Sequence, residues 1–314
     1  MPPDIPRDIP GGRVQIMDNY ASDLYRLRWE RFWTRQGNKM STFRQYWRDW
    51  HSYAEYCIAN GLQTLTLDTA DLYVDEIQHA VSANRARTHA RAIKAFGKYW
   101  DYQHEEGDPF RKLQLPPEPA VQHAPMATED DLQKLLEACT PSNAVVTRPW
   151  EVARDKAIIL TLAGTGMRRG EVANMKLTDL DLIGQRLKVP DTKTKTPREV
   201  YVPEKVVDAL LRYLRSVEAD RPEGVDEVWL GTHSFAPLSA GAISQMLRRR
   251  GADCGVDIGA HAFRRMMAGQ WMAKGGSETG LMNQAGWRST AMIQRYQKAV
   301  AQENALAEAQ RLLQ

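Results

Sequence analysis

Several residues in the last half of the sequence carry side chains that could act together on a phosphodiester. His261 and Arg264 are three residues apart, so on a helix they would share one face. Trp287 offers an indole N–H that can only donate a hydrogen bond, and Tyr296 offers a hydroxyl that can act as a nucleophile. Upstream, Arg168 follows a turn-like Thr-Gly pair. This set suits neither a metal site nor an acyl-transfer triad, and it predicts a site that holds and attacks a phosphodiester.

The two arginines fit this chemistry because of the charge that it creates. Attack on a phosphodiester by a side chain places negative charge on a five-coordinate phosphorus, and the protein must stabilise that charge. A guanidinium group presents a planar fork to phosphate oxygens, so Arg168 and Arg264 are the predicted clamp. Glu171, one helical turn after Arg168, could orient that arginine or could belong to a surface ion pair.

The order and spacing of these residues resemble those of the tyrosine recombinase (phage integrase) family. The segment TGMRRGEV resembles the first box of the family, typically TGLRxxE, and matches Arg168 to the first catalytic arginine. The segment HAFRR resembles HxLRH, so His261 and Arg264 match, whereas an arginine replaces the frequent trailing histidine. AGWRS resembles the LGHxS box, with Trp287 where many members carry histidine. Tyr296 then lies at the distance of the family's nucleophile.

A fifth box concerns the general acid. The segment TKTKTPREVYVP resembles the lysine-bearing β-turn of the family, often GKGxKxRxxP. Lys193 aligns with the catalytic lysine by its distance from the first arginine box and from Arg198, five residues later. The flanking glycines of the family are Thr192 and Thr194 here, so Lys195 remains an alternative.

The resemblance implies a site-specific recombinase that works through a covalent phosphotyrosyl intermediate. Tyr296 would attack the scissile phosphate and stay joined to its 3′ side, while the two arginines stabilise the phosphorane. Lys193 would protonate the departing 5′ oxygen, His261 would assist proton transfer at the nucleophile, and Trp287 would donate to a non-bridging oxygen. The covalent intermediate conserves the bond energy, so no cofactor is expected, neither ATP nor an obligatory metal.

Other interpretations of the same residues remain open. Trp287 could be an ordinary core residue, and His261 could merely cap its helix. A type IB topoisomerase would share the chemistry but relax supercoils as a monomer. A DNA-binding accessory protein with a relict site is the non-enzymatic alternative, although every matched position carries a usable side chain.

The expected partner is duplex DNA that contains recombination sites, and the family implies a tetramer on two such sites. Residues 299–314 form an amphipathic tail with apolar positions suited to docking on a neighbouring protomer. The 314 residues lack any apolar run of the length of a membrane span, so no membrane partner is expected. Three scattered cysteines fit a reducing compartment, and the predicted location is the cytoplasm, in association with DNA.

The elements that must position this site divide the chain into five segments. Residues 1–17 are a predicted flexible leader, 18–106 a helical core-binding (DNA-binding) domain, and 107–126 a proline-rich linker. Residues 127–298 form the predicted catalytic domain, and the tail follows. The length suits two domains. We therefore predict a mainly α fold with a small β element, a two-domain DNA clamp of the tyrosine recombinase type.

Helical periodicity predicts the N-terminal domain. Helices are expected at 18–36, 42–60 and from Asp68 or Thr69 to 77, and another opens at Ser82. That last helix carries a basic face that could contact DNA backbone or simply be solvated, and two arginines of the second helix are further DNA-binding candidates. The six candidates are Arg44, Arg48, Arg87, Arg91, Lys94 and Lys98.

Patterns in the second domain predict both helices and a hairpin. Thr128 and Asp131 have the spacing of an N-terminal capping box. Short alternating segments at 186–189 and 199–202 predict a hairpin with a basic turn. Helices are expected at 154–162, 204–217, 239–250, 261–274, 277–284 and 290–296.

Overall fold

The computed structural model describes residues 23–118, 126–140, 149–190, 197–232, 235–287, 289, 290 and 293. Its contacts divide the chain into two compact units, Met1–Gln122 and His123–Gln314. None of the helices in the described ranges has the length and apolarity needed to cross a lipid bilayer.

Four helices form the described part of the first unit. They are α1 (Asp23–Arg35), α2 (Met40–Ala59), α3 (Leu67–Ala80) and α4 (Ala83–His104). Their apolar faces meet in an aromatic core, in which the rings of Trp50 and Phe96 stack with centroids 3.6 Å apart. Trp29 is fully buried and meets Phe96 edge-on at 5.3 Å. The aromatic stripe of α2 therefore packs inside the unit, as its helical spacing predicts.

The start of α3 differs from the sequence prediction. Thr66 is the N-cap, and its side chain accepts a hydrogen bond from the backbone N–H of Thr69. The predicted cap at Asp68 or Thr69 is wrong by two or three residues. Several consecutive residues here can cap a helix, so residue type alone does not select among Thr66, Asp68 and Thr69.

The proline-rich segment after α4 also differs from its prediction as a linker that begins at residue 107. Phe110 and Leu113 are buried in the aromatic core of the first unit. Gly97 permits this approach, because a Cβ there would overlap Asp108 Oδ1 and lie 3.0 Å from Phe110. Residues 107–118 thus pack onto α4, and residues 119–125 lie outside the described ranges.

Two cations of the α4 basic face hold this segment in place. The Nζ of Lys94 donates to the carbonyl oxygens of Phe110 (3.2 Å), Arg111 (2.9 Å) and Leu113 (2.9 Å). Arg87 donates through Nη1 to the carbonyl of Pro116. The sequence could not separate these structural cations from solvated ones, because their acceptors lie on a segment without regular secondary structure.

The second unit contains the remaining described elements. Its helices are α5 (Glu129–Glu137), α6 (Pro149–Thr165), α7 (Arg169–Ala173), α8 (Glu204–Val217), α9 (Ala240–Cys254), α10 (Ala260–Ala273) and α11 (Glu278–Ala285). Its strands are β1 (Leu180–Asp181), β2 (Arg186–Val189) and β3 (Arg198–Tyr201). They form one antiparallel sheet in the order β1-β2-β3, with Val189 paired to Arg198. The result is the mainly α fold with a small β element that the sequence predicts.

Most helix boundaries in the second unit agree with the periodicity to within a few residues. The capping box at Thr128 and Asp131 is present, with both reciprocal hydrogen bonds. The helix predicted at 154–162 is longer and begins at Pro149, a residue that favours the first helical position. The predicted hairpin is β2–β3, whereas β1 was missed because a two-residue strand gives no alternation.

The contacts of Lys94 predict a difference between two lysines of α4. Lys94→Met keeps the apolar stem but leaves three carbonyls without their donor, so we expect the first unit to lose on the order of 2 kcal/mol of stability. Urea unfolding followed by tryptophan fluorescence measures this loss. The matched control is Lys98→Met, because Lys98 is exposed on the same helix and should unfold at the wild-type midpoint. Equal midpoints for the two variants would contradict the structural role of Lys94.

Candidate functional site

Arg168 is positioned by the break between α6 and α7. Helix α6 ends at Thr165, and Gly166 follows with φ +63°, a left-handed conformation that favours glycine. A Cβ on Gly166 would also overlap the side chain of Met267. The chain then re-enters a helix with Arg168 as the N-cap residue of α7. A turn that only glycine tolerates well therefore sets the direction in which Arg168 leaves the backbone.

The side chain of Arg168 is fixed by two acceptors. Its Nη1 lies 2.8 Å from Glu171 Oε1, and its Nη2 donates to the carbonyl of Gly286 at 2.9 Å. The other carboxylate oxygen of Glu171 accepts from the Arg168 backbone N–H at 2.9 Å. About half of the Arg168 side chain stays exposed. The guanidinium is thus held in one orientation while part of it faces solvent.

Glu171 lies between two guanidinium groups rather than one. Arg198, at the start of β3, donates to both of its oxygens, at 3.1 Å and 2.8 Å. Burial favours the neutral acid, but the hydrogen bonds from Arg198 and from the Arg168 backbone outweigh burial and lower the pKa of Glu171. Of the two sequence interpretations of Glu171, an orienting role or a surface ion pair, the geometry favours the orienting role. In the sequence, Arg198 serves only to align Lys193 with the catalytic lysine of the family, and its contact with Glu171 was not predicted.

Arg264 is buried, whereas about half of the Arg168 side chain is exposed. It lies on α10 with 1% of its surface exposed, and it donates to the carbonyls of Gly166 (2.6 Å) and Ala285 (2.5 Å). Its Cζ lies 5.1 Å from the centre of the Trp287 ring. The two arginines therefore bind successive carbonyls of one turn, Ala285 for Arg264 and Gly286 for Arg168.

Trp287 follows that turn and packs into a small apolar cluster. The side chain is 6% exposed and lies with Met267, Leu281, Ala285 and Ile293. This cluster is separate from the main core of the second unit. The prediction that Trp287 is a packing residue is thus compatible with its place beside Arg264, and its role as a donor to phosphate stays a proposal.

His261 lies in the first turn of α10. It lines a cleft of about 560 Å³ together with Arg168 and Arg169. The cleft is also lined by Arg248 and Asp257. The residue is exposed overall, yet partial burial of its imidazole lowers its pKa, and the positive charges of nearby arginines lower it further. Both effects favour the neutral imidazole, the form that can accept a proton.

A glutamine that the sequence analysis did not single out joins the site to the sheet. The side chain of Gln284 is 8% exposed and donates to the carbonyls of Thr165 (3.3 Å) and Tyr201 (3.0 Å). Its Oε1 accepts from the backbone N–H of Tyr201 at 3.0 Å. Gln284 thus links the end of α6, strand β3 and the helix that leads to the Ala285–Gly286 turn. No signal in the sequence marks it, because its partners are 83 and 119 residues away.

The described residues bring together five of the seven predicted catalytic positions: Arg168, Glu171, His261, Arg264 and Trp287. Lys193, its alternative Lys195, and Tyr296 lie outside the described residues, as does the tail at 299–314. The described ranges contain no cluster of three or more His, Cys, Asp or Glu side chains that could hold a metal ion.

The predicted DNA-binding residues fall into two groups. Arg44, Arg48, Arg91 and Lys98 are exposed on α2 and α4. Arg87 and Lys94 are partly buried and bind backbone carbonyls within their own unit. The exposed group is therefore the better candidate for contact with a nucleic acid.

Comparison with known proteins gives the class of protein to which this site belongs. The model of the phage integrase family matches residues 126–303, more than half of the chain, and the chain belongs to this family. Tyrosine recombinase XerA from Pyrococcus furiosus is 26% identical over 186 residues, an alignment that covers 59% of this chain and 59% of XerA. The chain thus spans about three fifths of the length of that relative.

Solved structures show the same fold. The XerH site-specific recombinase, bound to palindromic difH substrate in a post-cleavage complex, has a TM-score of 0.69 at 16% identity. That match covers 87% of this chain and 81% of XerH. A lambda integrase tetramer bound to a Holliday junction has a TM-score of 0.62 at 17% identity, with 90% of this chain and 82% of the integrase covered.

The charges around His261 predict how its pKa responds to substitution. Arg265, Arg264 and Arg168 each lower the pKa of His261, so Arg265→Ala should raise it towards the ordinary histidine value. An NMR titration of the imidazole Cε1–H measures the change. Lys274→Ala is the control, because Lys274 follows the last residue of the same helix and should leave the titration unchanged. An unchanged pKa in Arg265→Ala would mean that the charge of Arg265 does not act on His261.

Proposed function

We propose that this protein is a site-specific DNA recombinase that cuts and rejoins DNA through a 3′-phosphotyrosyl intermediate. The observation that carries the proposal is the pair of guanidinium groups anchored to one turn, with Arg168 on Gly286 and Arg264 on Ala285. Membership of the phage integrase family supports it. Two fixed positive groups in a site that also contains His261 suit a reaction whose transition state gathers negative charge on phosphate oxygens.

In this proposal the cleavage step is an in-line displacement. The hydroxyl oxygen of Tyr296 forms a bond to the scissile phosphorus, and the bond from phosphorus to the 5′ oxygen breaks. His261 takes part in removing the proton of Tyr296, and Lys193 supplies a proton to the departing 5′ oxygen. Arg168 and Arg264 stabilise the phosphorane, while the indole N–H of Trp287 donates to a non-bridging oxygen. Rejoining is the reverse reaction with another 5′ hydroxyl, so no external energy source is required.

The substrate in this proposal is duplex DNA, and the first unit supplies part of its binding surface. The exposed side chains of Arg44, Arg48, Arg91 and Lys98 can neutralise backbone phosphates without reading sequence. We place the protein on DNA in the cytoplasm.

We further propose a tetramer on two DNA sites, with the tail at 299–314 of each protomer docked on its neighbour. The tetrameric lambda integrase on a Holliday junction supports this assembly. The tail supports it through its apolar positions, which are Val300, Leu306, Leu312 and Leu313.

Two other functions would use the same residues differently. A type IB topoisomerase would form the same covalent adduct but relax supercoils as a monomer. A DNA-binding accessory protein would form no adduct. A DNA duplex nicked near the cleavage position separates them, because loss of the short 5′ fragment traps the covalent adduct. Trapping excludes the accessory protein, and joining of two different sites occurs only with a recombinase.

Tyr296→Phe tests the nucleophile on this trapping substrate. Removing only the hydroxyl should preserve DNA binding in a mobility-shift assay and abolish the covalent adduct on a denaturing gel. Tyr201→Phe is the matched control, because the side chain of Tyr201 is 56% exposed on β3 and should leave the adduct intact. An adduct formed by Tyr296→Phe would move the nucleophile to another residue.

A bridging sulfur at the leaving position distinguishes Lys193 from Lys195. A thiolate is a good leaving group without protonation, so sulfur should restore the cleavage rate of a variant that lacks only the general acid. We expect Lys193→Ala to be slow on ordinary DNA and to recover on DNA with a 5′-bridging sulfur. Arg168→Ala should not recover, because it stabilises charge on the non-bridging oxygens. Rescue of Lys195→Ala in place of Lys193→Ala would shift the alignment of this turn by two residues.

A further inference from the structure

Arg198 and Glu171 form an ion pair with two parallel hydrogen bonds. The Nη1 and Nη2 of Arg198 lie 3.1 Å and 2.8 Å from the two oxygens of Glu171. Both side chains are largely buried, with exposures of 18% and 17%. A forked pair of this kind restricts the carboxylate to one plane and one rotation. Arg198 therefore fixes the orientation of Glu171, and not only its charge.

The same carboxylate is the main partner of Arg168. Each of its oxygens accepts one hydrogen bond from Arg198 and one from Arg168, through the Arg168 side chain at 2.8 Å and backbone at 2.9 Å. A carboxylate held by Arg168 alone could rotate with it, because Arg168 is about half exposed. With Arg198 on the buried side, Glu171 becomes a fixed support.

Arg198 also contacts the second support of Arg168. Gly286, whose carbonyl accepts from Arg168 Nη2, lies directly against the Arg198 guanidinium. A Cβ on Gly286 would lie 2.6 Å from Arg198 Cζ, and its φ of +65° is a second reason for glycine at this position. Both acceptors that hold the Arg168 side chain therefore rest on the same guanidinium.

We propose that Arg198 is a positioning residue for Arg168, and that it couples the β2–β3 hairpin to the arginine clamp. The inference rests on the proposed function, because it assumes that Arg168 acts on the scissile phosphate. Lys193 and Lys195 lie in the sequence between β2 and β3, and Arg198 is the first residue of β3. The proposed general acid and the proposed phosphate clamp are thus linked through one buried arginine.

The positive charge of Arg198 gives a second reason why its loss should slow cleavage. Two guanidinium groups and one carboxylate leave the cluster of Arg168, Glu171 and Arg198 with one net positive charge. Without Arg198, Glu171 neutralises Arg168, and the cluster presents no net charge to a phosphate. Removal of Arg198 would take away both the support of Arg168 and the net positive charge of the cluster. Cleavage should therefore slow, although in this proposal Arg198 does not contact the substrate.

The first experiment is a double-mutant cycle on the trapping substrate, with saturating protein and single-turnover rates. Arg198→Ala should slow cleavage roughly 10- to 100-fold, the usual effect of losing a residue that supports a charged site. The double variant Arg168→Ala/Arg198→Ala should be no slower than Arg168→Ala, because the effect of Arg198 passes through Arg168. Arg186→Ala is the control, because Arg186 is exposed on the adjacent strand, where it pairs with the exposed Glu199, and this variant should cleave at the wild-type rate.

The second experiment replaces a non-bridging oxygen of the scissile phosphate by methyl. This methylphosphonate is neutral, so its transition state needs less positive charge and the losses in Arg168→Ala and Arg198→Ala should both shrink by a similar factor. A purely structural role for Arg198 would give the same loss on both substrates. Arg198→Lys, which keeps the charge but not the fork, should fall between wild type and alanine, and it replaces Arg198→Ala in both experiments if thermal unfolding shows that the alanine variant is not folded.

Each result decides for or against the proposal. Rate losses that multiply in the double variant, or a loss equal on phosphate and methylphosphonate, would overturn it. Failure of the proposed function has a different signature, because wild-type protein would then form no adduct and Arg168→Ala would change nothing. If Arg168→Ala is slow as expected but Arg198→Ala cleaves at the wild-type rate, the inference about Arg198 is overturned and the proposed function stands.

Discussion

Two positive groups must be held close together before any substrate is present, and this constraint shapes the second unit. Arg168 and Arg264 donate to the carbonyl oxygens of adjacent residues. Arg168 also donates to the carboxylate of Glu171, which fixes its orientation. Carbonyl oxygens point partial negative charge at a guanidinium without neutralising it, so the positive charge remains available to a phosphate. The Ala285–Gly286 turn is the shared support, and it is itself held by Gln284 and by the guanidinium of Arg198.

Sequence patterns predict elements well where one local signal dominates. Helix α8 has the bounds 204–217 that its amphipathic spacing predicts, and the capping box at Thr128 is present. The prediction was wrong where several residues carry the same signal, as at the start of α3, and the carbonyl contacts of Lys94 were not predicted because their acceptors lie in an irregular segment. For α3 the deciding contact is a local hydrogen bond that any of three neighbouring residue types could form, whereas for Lys94 the deciding contacts are tertiary and local composition contains no information about them.

The candidate site shows the same division between local and distant signals. Arg168 and Glu171 are three residues apart, so their pairing could be read from helical spacing alone, and the geometry agrees. Arg198 is 27 residues from Glu171, and no periodicity connects them. The sequence identified Arg198 as part of a box but not what it contacts, because the β2–β3 hairpin and α7 meet only in the folded unit. A contact within one helical turn is thus easier to predict from the sequence than a contact between distant segments.

For Trp287, a packing role and a functional role do not exclude each other. Its ring lies in an apolar cluster with Met267, Leu281 and Ile293, which a core residue would do. The same ring lies beside the Arg264 guanidinium, where its negative π face favours the buried charge. The cluster is separate from the main core of the second unit, and it holds Trp287, the residue that follows the Ala285–Gly286 turn. Ile293 is buried in the same cluster, and burial of the indole there sets the environment of the Arg264 guanidinium.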